Sequence, residues 1–194
     1  GYNAADTGLT PDQELGVLFA NAVEYLDEIK RRGNMSLVQA AQGCGGVSFR
    51  ASIHIIEEAC KMRAARFMWS QLLRERYDIS DPKVGNLRIH CVTAGSKMTY
   101  QQPFNNIVRG TAMALGAILG GVQSLGVSGY DEALSIPSEH AHQMSIRIQQ
   151  ILQEETGIAD VTDPLGGSFY VETLTAKLIE KAWAFFESIQ KQGG

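Results

Sequence analysis

Polar side chains occur in two short segments whose other residues are mostly apolar or small. His90 lies in the first segment, and Gln123 and Ser124 lie near the start of the second. Imidazole, amide and hydroxyl groups donate or accept hydrogen bonds, and they need partners when they are buried. Glu132 follows the second segment, and an ionised carboxylate there can accept hydrogen bonds. These residue types favour a site that binds a polar ligand through hydrogen bonds.

The segments that contain these residues have the length and composition of buried β-strands. The sequence predicts strands at residues 46–50, 87–92 and 122–127. The helical spacing of apolar residues predicts helices at about residues 10–33, 53–77, 103–120, 138–155 and 171–192. Strands that alternate with helices indicate parallel β/α units, because parallel neighbours cannot be joined by a tight turn.

Three strands cannot close a barrel, and a lone parallel sheet of three strands would leave its edges and faces uncovered. We therefore expect an α/β fold, namely the later part of a (β/α)8 TIM barrel with parallel strands, followed by C-terminal helices. In that fold the chemistry takes place at the carboxyl ends of the strands. We expect one partial barrel domain over residues 1–194, with β/α units to about residue 135 and trailing helices over residues 136–194.

The first long helix has clear boundary signals. Thr10 can act as its N-cap, Pro11 suits the first helical position, and Gln13 stands three residues after the cap. Gly33 follows the last apolar position and can end the helix. After it, Ser36 predicts only a short capped turn. Aromatic and methionine residues at helical spacing are predicted to lie in the core, namely Phe67, Met68, Trp69, Trp183, Phe185 and Phe186.

Composition limits the possible partners. The chain has 194 residues, 44% of them hydrophobic, and its 17 Lys+Arg against 21 Asp+Glu give a net charge of −4. A nucleic-acid-binding protein concentrates basic residues on one face, so no nucleic acid is expected. The first residues hold no basic or apolar leader, and no apolar run approaches the roughly 18 residues of a membrane span. No membrane partner is therefore expected.

Three cysteines, Cys44, Cys60 and Cys91, are widely spaced, with no Cys-x-x-Cys pair and no histidine at zinc-finger spacing. No metal site is predicted, and reduced thiols indicate a cytoplasmic protein. Gly1 stands where an initiator Met would be, which we take as a sign of processing, cloning or excision from a longer chain.

Several blocks of sequence occur in the same order as in one known enzyme family. They lie at residues 1–2, 61–66, 101–109, 120–125, 131–133, 153–157 and 163–168. On these blocks the chain resembles the adenosylcobalamin-dependent acyl-CoA mutases, such as methylmalonyl-CoA mutase and isobutyryl-CoA mutase. The resemblance implies the last part of the catalytic barrel in the large subunit, and the helices that lead towards a separate cobalamin-binding domain.

The resemblance also implies a reaction, the 1,2-rearrangement of a CoA thioester by radical chemistry. Its cofactor would be adenosylcobalamin, with the cobalt ligand supplied by a domain outside this chain, which has no Asp-x-His-x-x-Gly motif. The implied partners are a CoA thioester substrate, the rest of the mutase barrel, and a cobalamin-binding domain or subunit. The uncovered seam of a partial barrel also predicts an oligomer.

The family pattern implies roles for several residues. Tyr2 matches a catalytic tyrosine that lies over the corrin, and His90 matches a catalytic histidine near the substrate and the corrin. Glu132 matches the glutamate that binds the adenosyl ribose, and Gln123 and Ser128 match cofactor-binding positions. Each has a structural alternative. His90 can be a core histidine, Glu132 can stabilise a helix N-terminus, Gln123 can bond the backbone, and Ser128 can be an ordinary loop serine.

The substrate-binding positions show both matches and departures. Ser124 matches a residue that faces the substrate, and Lys83 matches a lysine that contacts the CoA phosphates, although exposed lysines usually contact only water. Asn3 replaces a catalytic histidine that bonds the thioester carbonyl, so a donor remains but a general acid is lost. Cys44 and Gly46 stand where the family has a CoA-contacting arginine and serine.

Val92 is a further departure, because it replaces a family glutamine. Three hypotheses follow. The leading one is that the chain forms part of a cobalamin-dependent acyl-CoA mutase. The second, suggested by Asn3, Cys44 and Val92, is a non-catalytic scaffold or assembly subunit of the same fold. The third, from the strand and helix pattern alone, is a barrel enzyme that uses a phosphorylated substrate without cobalamin.

Overall fold

The computed structural model describes residues 1–193 of the chain. Within them, eight α-helices and two 3-10 turns accompany one sheet of three strands. The strands are β1 (Gly46–Ala51), β2 (Arg88–Thr93) and β3 (Ser124–Gly126). The α-helices are α1 (Tyr2–Asp6), α2 (Pro11–Arg32), α3 (Leu37–Cys44), α4 (Ile55–Tyr77), α5 (Pro82–Gly85), α6 (Asn105–Leu119), α7 (Glu139–Glu154) and α8 (Phe169–Gln190). This order is that of successive β/α units.

All strand pairs of the sheet are parallel, as the sequence predicts. β2 lies in the middle, and His90 has Ser48 of β1 on one side and Ser124 of β3 on the other. α4 connects β1 with β2, and α6 connects β2 with β3, as parallel pairing requires. The predicted α/β class, with parallel strands that form part of a barrel, is confirmed.

The two faces of the sheet have different environments, because successive side chains of a strand point to opposite faces. One face is covered by helices, and Phe49 and Cys91 are fully buried there. The opposite face is uncovered among the described residues, and His90 is exposed on it. We call this the open face, and it carries Gly46, Ser48, Arg50, Arg88, His90, Val92, Ser124 and Gly126. In a closed barrel this face lines the interior.

Long helices form the layer behind the sheet. α8 packs against both α2 and α4, and α4 also packs against α6. Phe19 of α2 stacks on Trp69 of α4 with ring centroids 6.4 Å apart, and Trp183 of α8 lies 6.3 Å from Phe19. At the start of α2, the Gln13 side chain accepts a hydrogen bond from the Thr10 N–H at 3.1 Å. The predicted helix start is confirmed.

Two details predicted from the sequence are wrong, whereas the predicted boundaries of the strands and the long helices lie within two residues of the observed ones. β3 is shorter than residues 122–127, because Gly121 has a φ of 71° and the Gln123 side chain bonds the backbone of β2. The residues after Ser36 form the helix α3 instead of a turn, since Ser36 caps a helix of 8 residues. Phe67 is 55% exposed, because it lies on the side of α4 that faces away from the sheet.

A buried ion cluster joins the helix layer to β1. The Lys61 ammonium lies 2.7 Å from carboxylate oxygens of both Glu14 and Glu58, and it donates to the Arg50 carbonyl oxygen at 2.6 Å. The side chains of the cluster are only 2–3% exposed. Burial opposes the charged form of Lys61, but the two carboxylates outweigh burial, and the pKa of Lys61 is raised. Lys61 therefore ties α2, α4 and the end of β1 together.

The last two helices pack onto the rest of the fold. α7 packs against α6, and α8 covers α2 and α4. The division near residue 135 into barrel units and trailing helices stays a prediction. Among the described residues, no helix combines the length and the apolar character that a bilayer span requires.

Replacing Lys61 by methionine should strongly destabilise the protein. The substitution keeps an apolar stem but leaves Glu14 and Glu58 buried without their cation, and breaking a buried ion pair in this way costs about 3–5 kcal/mol. Urea unfolding of the intact protein, followed by circular dichroism, measures the loss. The matched control is Arg31→Ala, which removes an exposed pair with Glu28 and should leave the unfolding midpoint unchanged. An unchanged midpoint for Lys61→Met would contradict the structural role of the cluster.

Candidate functional site

The predicted site residues form three main groups along the open face. One group lies at the carboxyl ends of the strands, one in the middle of the sheet, and one at the amino ends. β1 has 6 residues, and at about 3.3 Å per residue its two ends are about 16 Å apart. One small ligand cannot touch all three groups, but an extended ligand that lies along the strands can.

The carboxyl-end group brings together Tyr2 and Glu132, which are far apart in sequence. α1, which carries Tyr2, starts beside β1, since a Cβ atom at Gly1 would stand 2.9 Å from the carbonyl oxygen of Ser48. Burial raises the pKa of Tyr2, and the negative charges of Asp6 and Glu132 raise it further. Tyr2 and Glu132 are therefore within electrostatic reach of each other.

Glu132 presents an exposed carboxylate at the carboxyl end of the sheet. Gly95, just after β2, lies close to it, because a Cβ atom at Gly95 would stand 3.0 Å from Glu132 Oε1. The absence of a side chain at Gly95 leaves room for the carboxylate and for close approach of a ligand. Asn3 is also exposed, and its amide can donate a hydrogen bond. This end can bind hydroxyl and carbonyl groups of a ligand.

The middle group forms a row across the sheet. Ser48, His90 and Ser124 are in register on the three strands. His90 Nδ1 lies 2.7 Å from Ser124 Oγ, so the histidine has the partner that a polar strand residue needs. Both side chains are exposed on the open face. Because this bond occupies Nδ1, Nε2 of His90 remains for a ligand.

Ser128 is held by the end of β2. Its N–H donates to the hydroxyl of Thr93 at 2.8 Å, and its own hydroxyl donates to the carbonyl oxygen of Thr93 at 3.0 Å. Thr93 is fully buried. The loop after β3 is thereby fixed to β2, while the Ser128 oxygen can still accept a hydrogen bond. The predicted cofactor contact of Ser128 stays a prediction.

Gln123 uses its side-chain amide on the backbone. Its Oε1 accepts from the Ile89 N–H at 2.7 Å, and its Nε2 donates to the Gly121 carbonyl oxygen at 3.0 Å. These bonds extend the contact between β2 and the start of β3 beyond the strand pairing itself. The geometry supports the structural role that the sequence leaves open, and contact of Gln123 with a cofactor stays a prediction.

The amino-end group combines small residues with cations. Cys44 ends α3, and burial raises the pKa of its thiol. Gly46 begins β1 and pairs with Arg88 of β2. Lys83 is exposed on α5, the short helix that precedes β2. Arg88 and Lys83 give this end positive charge, which suits a phosphate group.

Sequence reasoning missed three charged residues of the open face and its rim. Arg88 lies at the amino end, and Arg50 lies near the carboxyl end. Arg50 pairs with Asp6, whose Oδ1 atom lies 3.1 Å from Arg50 Nη1. The alternation of residues along β1 and β2 could have placed both arginines on this face, but the pairing with Asp6 joins residues that are 44 positions apart.

The three cysteines are free thiols. Cys60 and Cys91 are buried, and burial raises the pKa of both, that of Cys91 to about 12. Such thiols are poor nucleophiles. Within residues 1–193, no group of three or more His, Cys, Asp or Glu side chains could hold a metal ion.

Comparison with known proteins relates this geometry to a family. Residues 1–194 match the family described as methylmalonyl-CoA mutase. The chain is 41% identical to the 2-hydroxyisobutanoyl-CoA mutase large subunit of Aquincola tertiaricarbonis, over 100% of this chain and 34% of that protein. It is 40% identical to methylmalonyl-CoA mutase of Cereibacter sphaeroides and 34% identical to that of Escherichia coli, each over 100% of this chain and 27% of the relative. The chain thus spans about a quarter to a third of the length of these relatives.

Thr93→Val should loosen the loop that follows β3. Valine keeps the shape of threonine but removes the hydroxyl that accepts from the Ser128 N–H, and a buried donor without a partner costs about 1–3 kcal/mol. Hydrogen–deuterium exchange of the intact protein should be faster over residues 127–132. The control Thr93→Ser keeps the hydroxyl and should exchange much as the wild-type protein does. Equal exchange in the two variants would show that this bond does not hold the loop.

Proposed function

The chain belongs to the methylmalonyl-CoA mutase family, and we propose on that basis that it forms the later part of the catalytic barrel of an acyl-CoA mutase. Such an isomerase moves a group between adjacent carbon atoms of a CoA thioester. Relatives are named as mutases of methylmalonyl-CoA and of 2-hydroxyisobutanoyl-CoA. We also propose that the reaction is a radical 1,2-rearrangement and that its cofactor is adenosylcobalamin.

The observation that carries the proposal is the continuous open face. Lys83 and Arg88 lie at its amino end, His90 and Ser124 lie in its middle, and Glu132 lies at its carboxyl end. A CoA thioester is long, with phosphates at one end and the reacting acyl group at the other. If it lies along the strands, its phosphates meet the two cations and its thioester meets the middle row. This match in length and charge supports a CoA thioester as the substrate.

The chain's own residues would bind and orient the thioester. If Nδ1 of His90 accepts from the Ser124 hydroxyl, its Nε2–H would donate to the thioester carbonyl. Asn3 would donate a second bond to that oxygen, but an amide cannot transfer a proton to it. Val92 and Gly126 lie one row nearer the carboxyl end and offer no polar side chain. The third residue of that row, Arg50, bonds Asp6.

Adenosylcobalamin fits the carboxyl end of the open face, and it supplies, when bound, radical chemistry that protein side chains do not provide. Glu132 would hold the ribose hydroxyls of the adenosyl group, because its carboxylate is exposed and Gly95 leaves space beside it. Tyr2 would lie over the corrin, and Ser128 would line the cofactor. Gln123, whose amide bonds the backbone before β3, would support the sheet instead. The cobalt ligand would come from a cobalamin-binding domain or subunit outside the described residues.

The open face also indicates the partners. We propose that the rest of the mutase barrel covers it, because the reaction needs walls that exclude water. We also propose an oligomer, since exposed apolar side chains such as Val108 and Phe169 favour association. The free thiols suit the reducing cytoplasm.

A panel of thioesters tests the proposed function. The complete assembly that contains this segment would be mixed with adenosylcobalamin and with branched and dicarboxylic acyl-CoA thioesters. We expect an electron paramagnetic resonance signal with some thioesters only, together with an isomerised product. In an active enzyme, Asn3→Ala should slow turnover, because the thioester carbonyl loses a donor.

Two other outcomes would each select a different hypothesis. A protein that binds the cofactor but gives no signal with any thioester would be a scaffold of the same fold. A corrin absorption spectrum that does not change on mixing would favour a barrel enzyme that works without cobalamin.

Glu132→Ala should weaken binding of adenosylcobalamin but not of methylcobalamin. Only the first cofactor has an adenosyl group, whose ribose hydroxyls the carboxylate would bind, and loss of hydrogen bonds to a charged group should weaken binding roughly ten- to hundredfold. The dissociation constants of both cofactors can be measured from the corrin spectrum. Glu139→Ala, at the exposed start of α7, is the matched control and should change neither constant. An equal loss for both cofactors would contradict the ribose contact.

A further inference from the structure

Arg50 connects three parts of the carboxyl end of the sheet. Its Nη1 atom lies 3.1 Å from Asp6 Oδ1 and 3.4 Å from Ser96 Oγ. Asp6 ends α1, and Ser96 lies in the 3-10 turn after β2. The Arg50 side chain is only 12% exposed, so solvent screens its ion pair less than a surface pair. One guanidinium group therefore joins α1, β1 and the connection after β2.

α1 is a short helix, and the Arg50 contact adds to its packing against β1 and α2. The helix has 5 residues and no side-chain hydrogen bond at its N-cap, and Ala5 is its buried residue. A helix of this length is not stable by itself. Tyr2 stands one turn before Asp6, so both side chains lie on the same side of the helix. The orientation of Tyr2 therefore depends on how Asp6 is held.

The charges around Tyr2 support this arrangement. Burial raises the pKa of Tyr2 most, the charges of Asp6 and Glu132 raise it further, and the charge of Arg50 lowers it. All three charged groups thus act on the same hydroxyl. Arg50 lies in β1 and Glu132 follows β3, so the charges that act on Tyr2 come from separate parts of the chain.

We propose that Arg50 is a positioning residue, which holds α1 through Asp6 and Ser96 so that Tyr2 and Asn3 face the carboxyl end of the open face. The consequence for the reaction rests on the proposed function, whereas the clamp on α1 does not. We refer to Arg50, Asp6 and Ser96 as the α1 clamp.

The Arg50 guanidinium bonds groups beyond the strand ends, because its neighbours within the sheet offer it no partner. Its neighbours in register, Val92 and Gly126, carry no polar group. Asp6 and Ser96 lie beyond the strand ends, and a planar guanidinium with several N–H groups can bond both of them. A lysine would keep the charge at this position, but it would hold Asp6 and Ser96 in place less well.

Hydrogen–deuterium exchange of the intact protein, without cofactor, tests the α1 clamp directly. Arg50→Ala and Asp6→Asn should each make exchange over residues 2–8 roughly tenfold faster, as expected for the loss of a hydrogen bond between charged groups. The charge-swapped double variant, Arg50→Asp with Asp6→Arg, should restore much of the protection. Arg74→Ala, which removes an exposed arginine of α4, is the control and should leave residues 2–8 unchanged. Unchanged exchange in Arg50→Ala would overturn the proposal.

Kinetics of the complete enzyme with adenosylcobalamin test the effect on the reaction. Arg50→Ala should lower kcat at least tenfold with little change in the KM for the thioester, because Tyr2 and Asn3 lose their orientation. The kcat of Arg50→Lys should lie between that of the wild-type enzyme and that of Arg50→Ala. A higher KM with unchanged kcat, seen only for thioesters with an acyl carboxylate, would show that Arg50 binds substrate and would overturn the positioning role. If the wild-type protein turns over no thioester, the proposed function fails, while the exchange experiment still decides whether the clamp exists.

Discussion

The parallel register of the three strands is the constraint on which the rest of the structure depends. It places Ser48, His90 and Ser124 side by side on the open face. The same register places Phe49 and Cys91 against the helices, where both are fully buried. A shift of one residue in β1 or β2 would exchange these faces, so polar groups would be buried and core residues would be exposed. The site and the core therefore require the same register.

The buried charge of Lys61 extends this constraint to the end of β1. An apolar cluster of similar volume is often as stable as a buried ion cluster. It would, however, leave the Arg50 carbonyl oxygen without the donor that Lys61 provides at 2.6 Å. Arg50 is thus held on both sides of the sheet, by Lys61 through its backbone and by Asp6 through its side chain. The helix layer and the candidate site are joined at this residue.

Local signals predicted most of the fold from the sequence, and contacts between distant residues account for what they missed. The cap at Thr10 and the apolar spacing of the long helices depend only on nearby residues, and those helices were placed within two residues. The start of β3 depends instead on Gln123, whose side chain bonds Ile89 of another strand. Alternation along a strand predicts which residues share a face, but it does not show which face the helices cover. Pairs such as Asp6 with Arg50 are therefore visible only in the folded chain.

Two of the predicted departures from the family pattern, Gly46 and Val92, have a common feature in the sheet. Gly46 is in register with Arg88, and Val92 is in register with Arg50. A long side chain can extend over a small neighbour on the adjacent strand, and Arg88 Nη2 lies 3.9 Å from where a Cβ atom of residue 46 would stand. In both rows a strong hydrogen-bond donor is therefore kept at the same level of the open face, on the neighbouring strand. Arg50 is paired with Asp6, but among the described residues no carboxylate pairs with Arg88. An unpaired charge on a face that lines a closed barrel is costly unless a ligand of opposite charge binds there. Arg88 thus supports the proposal of a polar ligand over a scaffold that binds none.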